Sequence, residues 1–487
     1  MSIRTRFAPS PTGYFHIAGL QKVLYSYALA KKNNGQYIVR IEDTDRNRYV
    51  EGTEDVIFES HKLMGIDIDE SIHDGGDYGP YRQSDRLDIY KKYAQELVEK
   101  DFAYYAFETK EELDEMRKSQ MDEGHRPRYN GLYREYDKEE AKKRVEAGEE
   151  YVVRLKVPAH REIVVEDMIM GQMKFSTDDL DDYILVKSDG YPTYHLAVVI
   201  DDHLMKISHI FRGVEWIATS PIMKLTYEFF GWEMPQIGHV PNILNPNGQG
   251  KLSKRNGSVA LSEFFEEGYL KEAIINFIIL LGWSPSIERV HGEKEREIFS
   301  IEEFVDLFET KDLNKSNPKF NREKLLWFNK EYIKNFDTKD LADRLKEWNS
   351  RYLKNADIES DDSIEVKLEL VKERSQTLKE LAESLEFFYN APNKIEWNIK
   401  QLKNVQKNLE DMKAEIKKLI ESFDDDSKDW THEKWEEGMR AIGDRFEAKH
   451  GDVFMVLRVA ITGEPFSPPL FESLQILGKE EVLKRLS

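Results

Sequence analysis

With 487 residues and 40% hydrophobic side chains, the chain is long enough for several domains with ordinary cores. A formal net charge of −21 argues against a uniformly basic nucleic-acid-binding surface and confines any such role to local positive patches. The lack of cysteine excludes disulfides, thiol catalysis and cysteine-ligated zinc, and the lack of a signal-peptide pattern or an apolar run of membrane-spanning length predicts a cytoplasmic protein with no membrane partner.

The chain opens on a strand in which Ile3, Thr5 and Phe7 alternate, followed by a Pro- and Gly-rich turn. A helix comes next, with apolar residues at Leu20, Val23, Leu24, Tyr27 and Ala28 on the helical period and a stop at Asn33-Asn34-Gly35. The apolar run Tyr37 to Ile41 completes a strand, helix and strand, which predicts a right-handed crossover and a parallel sheet. Ligands of such sheets lie beyond the carboxyl ends of the strands, where a helix N-terminus offers N–H groups to phosphates. His16 lies at that turn. Residues 1–105 are therefore read as the first half of a Rossmann-type domain.

The stretch 106–199 is an insertion of different character, with charged helical segments at 111–118 and 138–147 before short β-like pieces at 151–155 and 162–165. The sheet is expected to resume near 200 and to end at the Lys251 loop, giving a second Rossmann half at 200–255. Asp201-Asp202-His203 reads as an ordinary polar strand end in preference to a metal site. Helical signals then dominate. Tyr269 to Gly282 is densely apolar, 301–308 and 322–332 are amphipathic, Glu365 to Tyr389 keeps a helical period, and 396–450 is charged and helical in pattern. The expected fold is multidomain: an α/β Rossmann-type catalytic domain with an α+β insertion, a helical region at 256–322, and an all-α half at 323–487 with two subdomains meeting near 385.

Two segments carry the chemistry. The first is Arg6-Phe7-Ala8-Pro9-Ser10-Pro11-Thr12-Gly13-Tyr14-Phe15-His16-Ile17-Ala18-Gly19, and the second is Lys251-Leu252-Ser253-Lys254-Arg255. With IEDTDRNRYVEG at 41–52, GPYRQSDRLDIYKKYA at 79–94, KSDGYPTYHLA at 187–197, RGVEW at 212–216, FNREKLLWFNKEYI at 320–333 and ERSQTLKEL at 373–381, they resemble the class I aminoacyl-tRNA synthetases in their glutamate form. No GxxxxGK[ST] loop occurs, so ATP use through a P-loop is excluded.

The resemblance implies activation of L-glutamate by ATP to an adenylate, then transfer to tRNA(Glu), by a monomer. Mg²⁺ would accompany ATP, held mainly by ATP oxygens. Zinc, which some members bind through cysteines after the first Rossmann half, has no thiol to receive it at Asp101 to Glu108. By the same resemblance His16 and Lys254 are catalytic, and His16, Gly19, Glu215, Leu244, Lys251 and Lys254 bind ATP. Arg6, Ala8, Ser10, Glu42, Tyr194 and Arg212 bind glutamate, with Arg212 as the cation for its side-chain carboxylate. Gly248 and Gly250 would free the Lys254 loop to move. The insertion would receive the tRNA acceptor end, the helical half would read the anticodon, and Arg374 would discriminate between tRNAs.

Two other functions are open to the sequence. A glutaminyl-tRNA synthetase shares the catalytic signatures but usually reads the anticodon with β-barrels. A catalytically weakened, synthetase-like tRNA-binding protein is suggested by Ala18, which stands where the first signature normally has glycine.

Overall fold

A computed structural model describes residues 2–252, 260–286, 296–423 and 430–487. The chain divides into two compact units, one built from Met1–Glu263 and Ile274–Arg322, the other from Phe264–Ala273 and Glu323–Ser487.

Among the described residues the first unit holds nine strands: β1 (Arg4–Phe7), β2 (Gln36–Val39), β3 (Ala103–Ala106), β4 (Val152–Leu155), β5 (Glu162–Asp167), β6 (Gly171–Ser176), β7 (Ile184–Val186), β8 (His209–Gly213) and β9 (Gln236–Val240). The main sheet has the order β2-β1-β8-β9-β5-β6, and β3-β4-β7 form a second sheet. Every pair in the main sheet is parallel except β5 with β6. As expected of a strand inside a parallel sheet, β1 is buried on both faces, so the alternation read at Ile3, Thr5 and Phe7 does not separate core from solvent. The helix Ile17–Lys32 covers the sheet with Ile17, Leu20, Val23, Leu24 and Ala28. Gly35 follows it for steric reasons: a β-carbon there would lie 2.0 Å from the carbonyl oxygen of Ile3.

The hairpin β5–β6 lies within the stretch read as an insertion, yet it extends the main sheet through the pair Asp167–Ile237. Ile163 and Val165 share one core with Ile38, Leu196, Ile210 and Ile237. The residues Asp201 and Asp202 do not end a strand. They lie in the helix Tyr194–Leu204 and are wholly buried, a cost that three arginines offset.

The second unit is helical. Thr338–Trp348, Ile364–Val371 and Leu378–Tyr389 pack together. Leu409–Glu421, His432–Arg445, His450–Thr462, Leu470–Leu477 and Lys479–Arg485 enclose Met412, Ile416, Met439, Val456, Leu474 and Val482. The helical period of 365–389 is interrupted: one helix ends at Val371, and Thr377 caps the next, its hydroxyl accepting from the Glu380 N–H.

Candidate active site

A cleft of about 570 Å³ opens beyond the carboxyl ends of β1 and β8. Arg6, Ala8 and Ser10 reach it from β1 and the turn that follows, Glu42 from just beyond β2, Tyr194 from the start of its helix, and Arg212, Glu215 and Trp216 from the end of β8. All six residues expected at glutamate thus line one cavity.

Arg212 is 5% exposed and held from several sides. Its Nε–H donates to His239 Nε2 (3.0 Å), Nη2 donates to Ser220 Oγ (2.9 Å) and the Trp216 carbonyl (3.2 Å), and Nη1 donates to the Tyr194 hydroxyl (3.2 Å). Tyr194 is fixed in turn by stacking on Trp216, with ring centroids 4.4 Å apart.

Charge balance maintains the floor of the cleft. Arg40, with no exposed surface, donates to Asp202 (2.8 Å) and Glu42 (2.9 Å) and lies 3.6 Å from Asp201. Arg6 donates to Asp202 through Nε and Nη2 (3.3 and 3.2 Å), and Arg86 to Asp201 (2.7 Å). Three cations therefore meet three buried carboxylates. Burial lifts the Glu42 carboxyl above its ordinary range, although Arg40 and Arg6 oppose the rise. At Asp202 burial acts in the same upward sense, but Arg6 and Arg40 outweigh it and hold the carboxyl low.

A second cleft of about 580 Å³ adjoins the first and shares Phe7, Ser10, Thr12 and Lys22 with it. His16, Ala18, Gly19 and Lys251 line it. His16 stands at the N-cap position of the helix Ile17–Lys32, whose first turn carries no acidic side chain, so the positive end of the helix dipole faces this cavity. Glu215, expected here, lines the first cleft and reaches the second through its ion pair with Lys251 (3.2 Å) and its charge on Lys22. Leu244 lines neither cleft. It pairs through its backbone with Lys251, which lines the second cleft, and with Lys319. Lys254 lies outside the described residues. Gly248 adopts φ +77°, so the turn before Lys251 needs glycine for a left-handed conformation, a requirement distinct from the mobility read in the sequence.

Lys22 is a residue the sequence reading missed. It donates to the Ala18 carbonyl (2.9 Å), and burial pulls its ammonium down to about 8, Glu215 opposing and Lys251 adding to the shift. Its spacing of three from Gly19 on one helix was the available signal.

In the second unit a cleft of about 680 Å³ is lined by Arg374, Ser375, Phe387, Asn393, Phe466 and Ser467, among others. Arg374 donates to the Ser467 carbonyl. Neighbouring carboxylates are engaged elsewhere, Glu369 by Lys372 (2.8 Å) and Glu373 by Lys334 (3.9 Å). Phe466, beside Arg374, is 79% exposed.

Residues 2–327 match the family described as tRNA synthetases class I (E and Q), catalytic domain, and residues 340–487 match an anticodon binding domain. The chain is 42% identical to a glutamate–tRNA ligase of Finegoldia magna, over 100% of this chain and 98% of that protein. It is 40% identical to the same enzyme of Chlorobaculum parvum, over 100% and 97%. The chain belongs to the glutamate–tRNA ligase family of class I aminoacyl-tRNA synthetases. A crystal structure of a glutamate tRNA ligase from Elizabethkingia meningosepticum, in complex with its amino acid, superposes with a TM-score of 0.88 at 36% identity, covering 100% of this chain and 98% of that one. The family accounts for a mixed sheet with the first of the two signature segments at its carboxyl edge and a helical half later in the chain. Among the described residues no group of three or more His, Cys, Asp or Glu side chains could hold a metal ion, and no helix is long and apolar enough to cross a membrane.

Proposed function

We propose that the chain ligates L-glutamate to tRNA(Glu) through a glutamyl-adenylate, and that the first cleft holds glutamate while the second holds ATP. The observation that carries the assignment is the donor set facing the first cleft. The Tyr194 hydroxyl accepts from Arg212, so its own proton points elsewhere, and a side-chain carboxylate would meet N–H and O–H donors together. Glu42 would take the α-ammonium, with Arg6, Ala8 and Ser10 around the α-carboxylate. One oxygen of that carboxylate attacks the α-phosphorus of ATP and the bond to pyrophosphate breaks. The helix N-terminus at His16, with Lys251 and Lys254, stabilises the charge that builds on the phosphate oxygens. Mg²⁺ would arrive with ATP, held by its phosphate oxygens. A hydroxyl of the terminal tRNA ribose then attacks the adenylate carbonyl, and AMP leaves. We further place the protein in the cytoplasm as a monomer. Aminoacylation of total tRNA with glutamate and, separately, with glutamine tests this reading. Charging with glutamate alone is expected, and charging with glutamine alone would replace the proposal by its sister activity.

Glu42 gives the amino-acid site a pH dependence. Its carboxyl lies above the ordinary range, and only the charged form can pair with an α-ammonium. The KM for glutamate should therefore rise as the pH is lowered through that raised value, while the KM for ATP changes less. A glutamate KM that is flat on the acid side would remove Glu42 from this role.

We assign tRNA discrimination to Arg374, whose planar guanidinium lines the cleft of the helical unit beside exposed Phe466. Arg374→Gln should raise charging of glutamine tRNA relative to glutamate tRNA and leave ATP–pyrophosphate exchange nearly unchanged. Equal ratios of charging efficiency in the two proteins would place discrimination elsewhere.

A further inference from the structure

Behind Arg212, on the side away from the cleft, lies a buried carboxylate–imidazole pair that the assigned roles leave unused. Asp167 Oδ2 is 2.5 Å from His239 Nδ1 and accepts the His239 backbone N–H at 3.1 Å; both side chains are fully buried. Asp167 Oδ1 accepts the N–H groups of Ile169 (2.8 Å) and Met170 (2.7 Å), so the carboxylate is itself fixed. On the far side of the ring, His239 Nε2 receives the Nε–H of Arg212, the residue directly opposite it in the β8–β9 register.

These contacts determine the tautomer. A guanidinium only donates, so Nε2 must present its lone pair and the proton must sit on Nδ1, facing Asp167. Burial, followed by the Arg212 charge, depresses the His239 pKa against the pull of Asp167, which keeps the ring neutral at pH 7. Burial would raise the Asp167 pKa, but the bonds from His239, Met170 and Ile169 hold it low, so Asp167 is the charged partner. Counting the five guanidinium N–H groups, Nε is used by His239, both Nη2 protons by Trp216 and Ser220, and one Nη1 proton by Tyr194. One Nη1 proton remains, next to the Tyr194 hydroxyl.

We propose that Asp167 and His239 are specificity-positioning residues: they lock Arg212 in the orientation that turns this last N–H, with the Tyr194 O–H, toward a substrate carboxylate, leaving no acceptor for an amide. The proposal rests on the reading of Arg212 as the side-chain cation. It also gives the hairpin β5–β6 a part in amino-acid choice, because Asp167 ends β5. A free guanidinium could swing aside and expose His239 Nε2 and Ser220 Oγ, both able to accept from a glutamine amide.

The test measures ATP–pyrophosphate exchange, with tRNA present, for the full chain and for Asp167→Asn, His239→Gln and Arg212→Ala. Asp167→Asn and His239→Gln should raise the KM for glutamate roughly ten- to a hundredfold, leave the KM for ATP unchanged, and narrow the preference for glutamate over glutamine. In the unsubstituted protein, labelled with ¹⁵N-histidine, the ring-nitrogen signals assigned by their loss in folded His239→Gln should show Nδ1 protonated. If Arg212→Ala leaves the glutamate KM unchanged, the reading of Arg212 fails and the proposal with it. If Arg212→Ala loses glutamate binding while folded Asp167→Asn and His239→Gln keep both KM and selectivity, or if the proton is on Nε2, the proposal alone is overturned.

Discussion

Replacing Arg212 by alanine should raise the KM for glutamate by about two to three orders of magnitude, with a far smaller change in the KM for ATP. Removing one partner of a buried, hydrogen-bonded charge pair costs about 3–5 kcal/mol, and each 1.4 kcal/mol is tenfold in binding. The cost is large here because the guanidinium would be the only cation directly on the substrate side chain. The change also removes a donor from the Ser220 hydroxyl, from His239 Nε2 and from the Trp216 carbonyl, which keeps the bond from Thr219. Because the contact is made in the ground state and kept in the transition state, the loss should fall on KM more than on kcat. Exchange kinetics at saturating ATP and varied glutamate provide the measurement. An unchanged glutamate KM would place side-chain recognition on another residue, Arg6 being the next cation in the cleft.

Replacing Arg40 by methionine should destabilise the first unit by about 3–5 kcal/mol. Methionine fills much of the same volume, so the loss comes from charge: Asp201, Asp202 and Glu42 would share only Arg6 and Arg86 in a fully buried cluster. For a unit of this size the melting temperature should fall on the order of 10 °C. The cluster also sets the pH dependence. Asp202, with its pKa depressed in the folded protein, contributes stability that is present above its unfolded pKa and lost as the pH falls through the lower folded value. Glu42, with its pKa raised, acts in the opposite sense, weakening the fold as it ionises. Thermal unfolding of Arg40→Met beside the unsubstituted chain, followed near neutral pH, is the check. A melting temperature within a degree or two would show that the carboxylates find other partners or take up protons at little cost.

Local pattern carried much of the molecule. The strand, helix and strand of residues 3–41 follow from apolar spacing and a C-cap, and the two signatures that mark the family are contiguous strings, legible without any fold. The helical character of residues 330–487 is likewise a property of periodicity. Pattern was blind where partners are distant in the chain. Asp201 and Asp202 looked like an ordinary polar strand end because nothing local announces Arg40 or Arg86, which lie 162 and 115 residues from their hydrogen-bonding partners among them. The break at Lys372 to Thr377 was masked because two successive helices can keep nearly the same phase.

By itself, then, the sequence determined the order of elements, the family and the residue types available to the site, since each depends on neighbours within a few positions. Only the tertiary structure decided which charges neutralise each other under the cleft, that β5 joins the main sheet, and that Asp167 and His239 stand behind Arg212. The reason is physical: a buried charge is tolerated only where the folded chain supplies its counterpart, and that counterpart can come from any point along the chain.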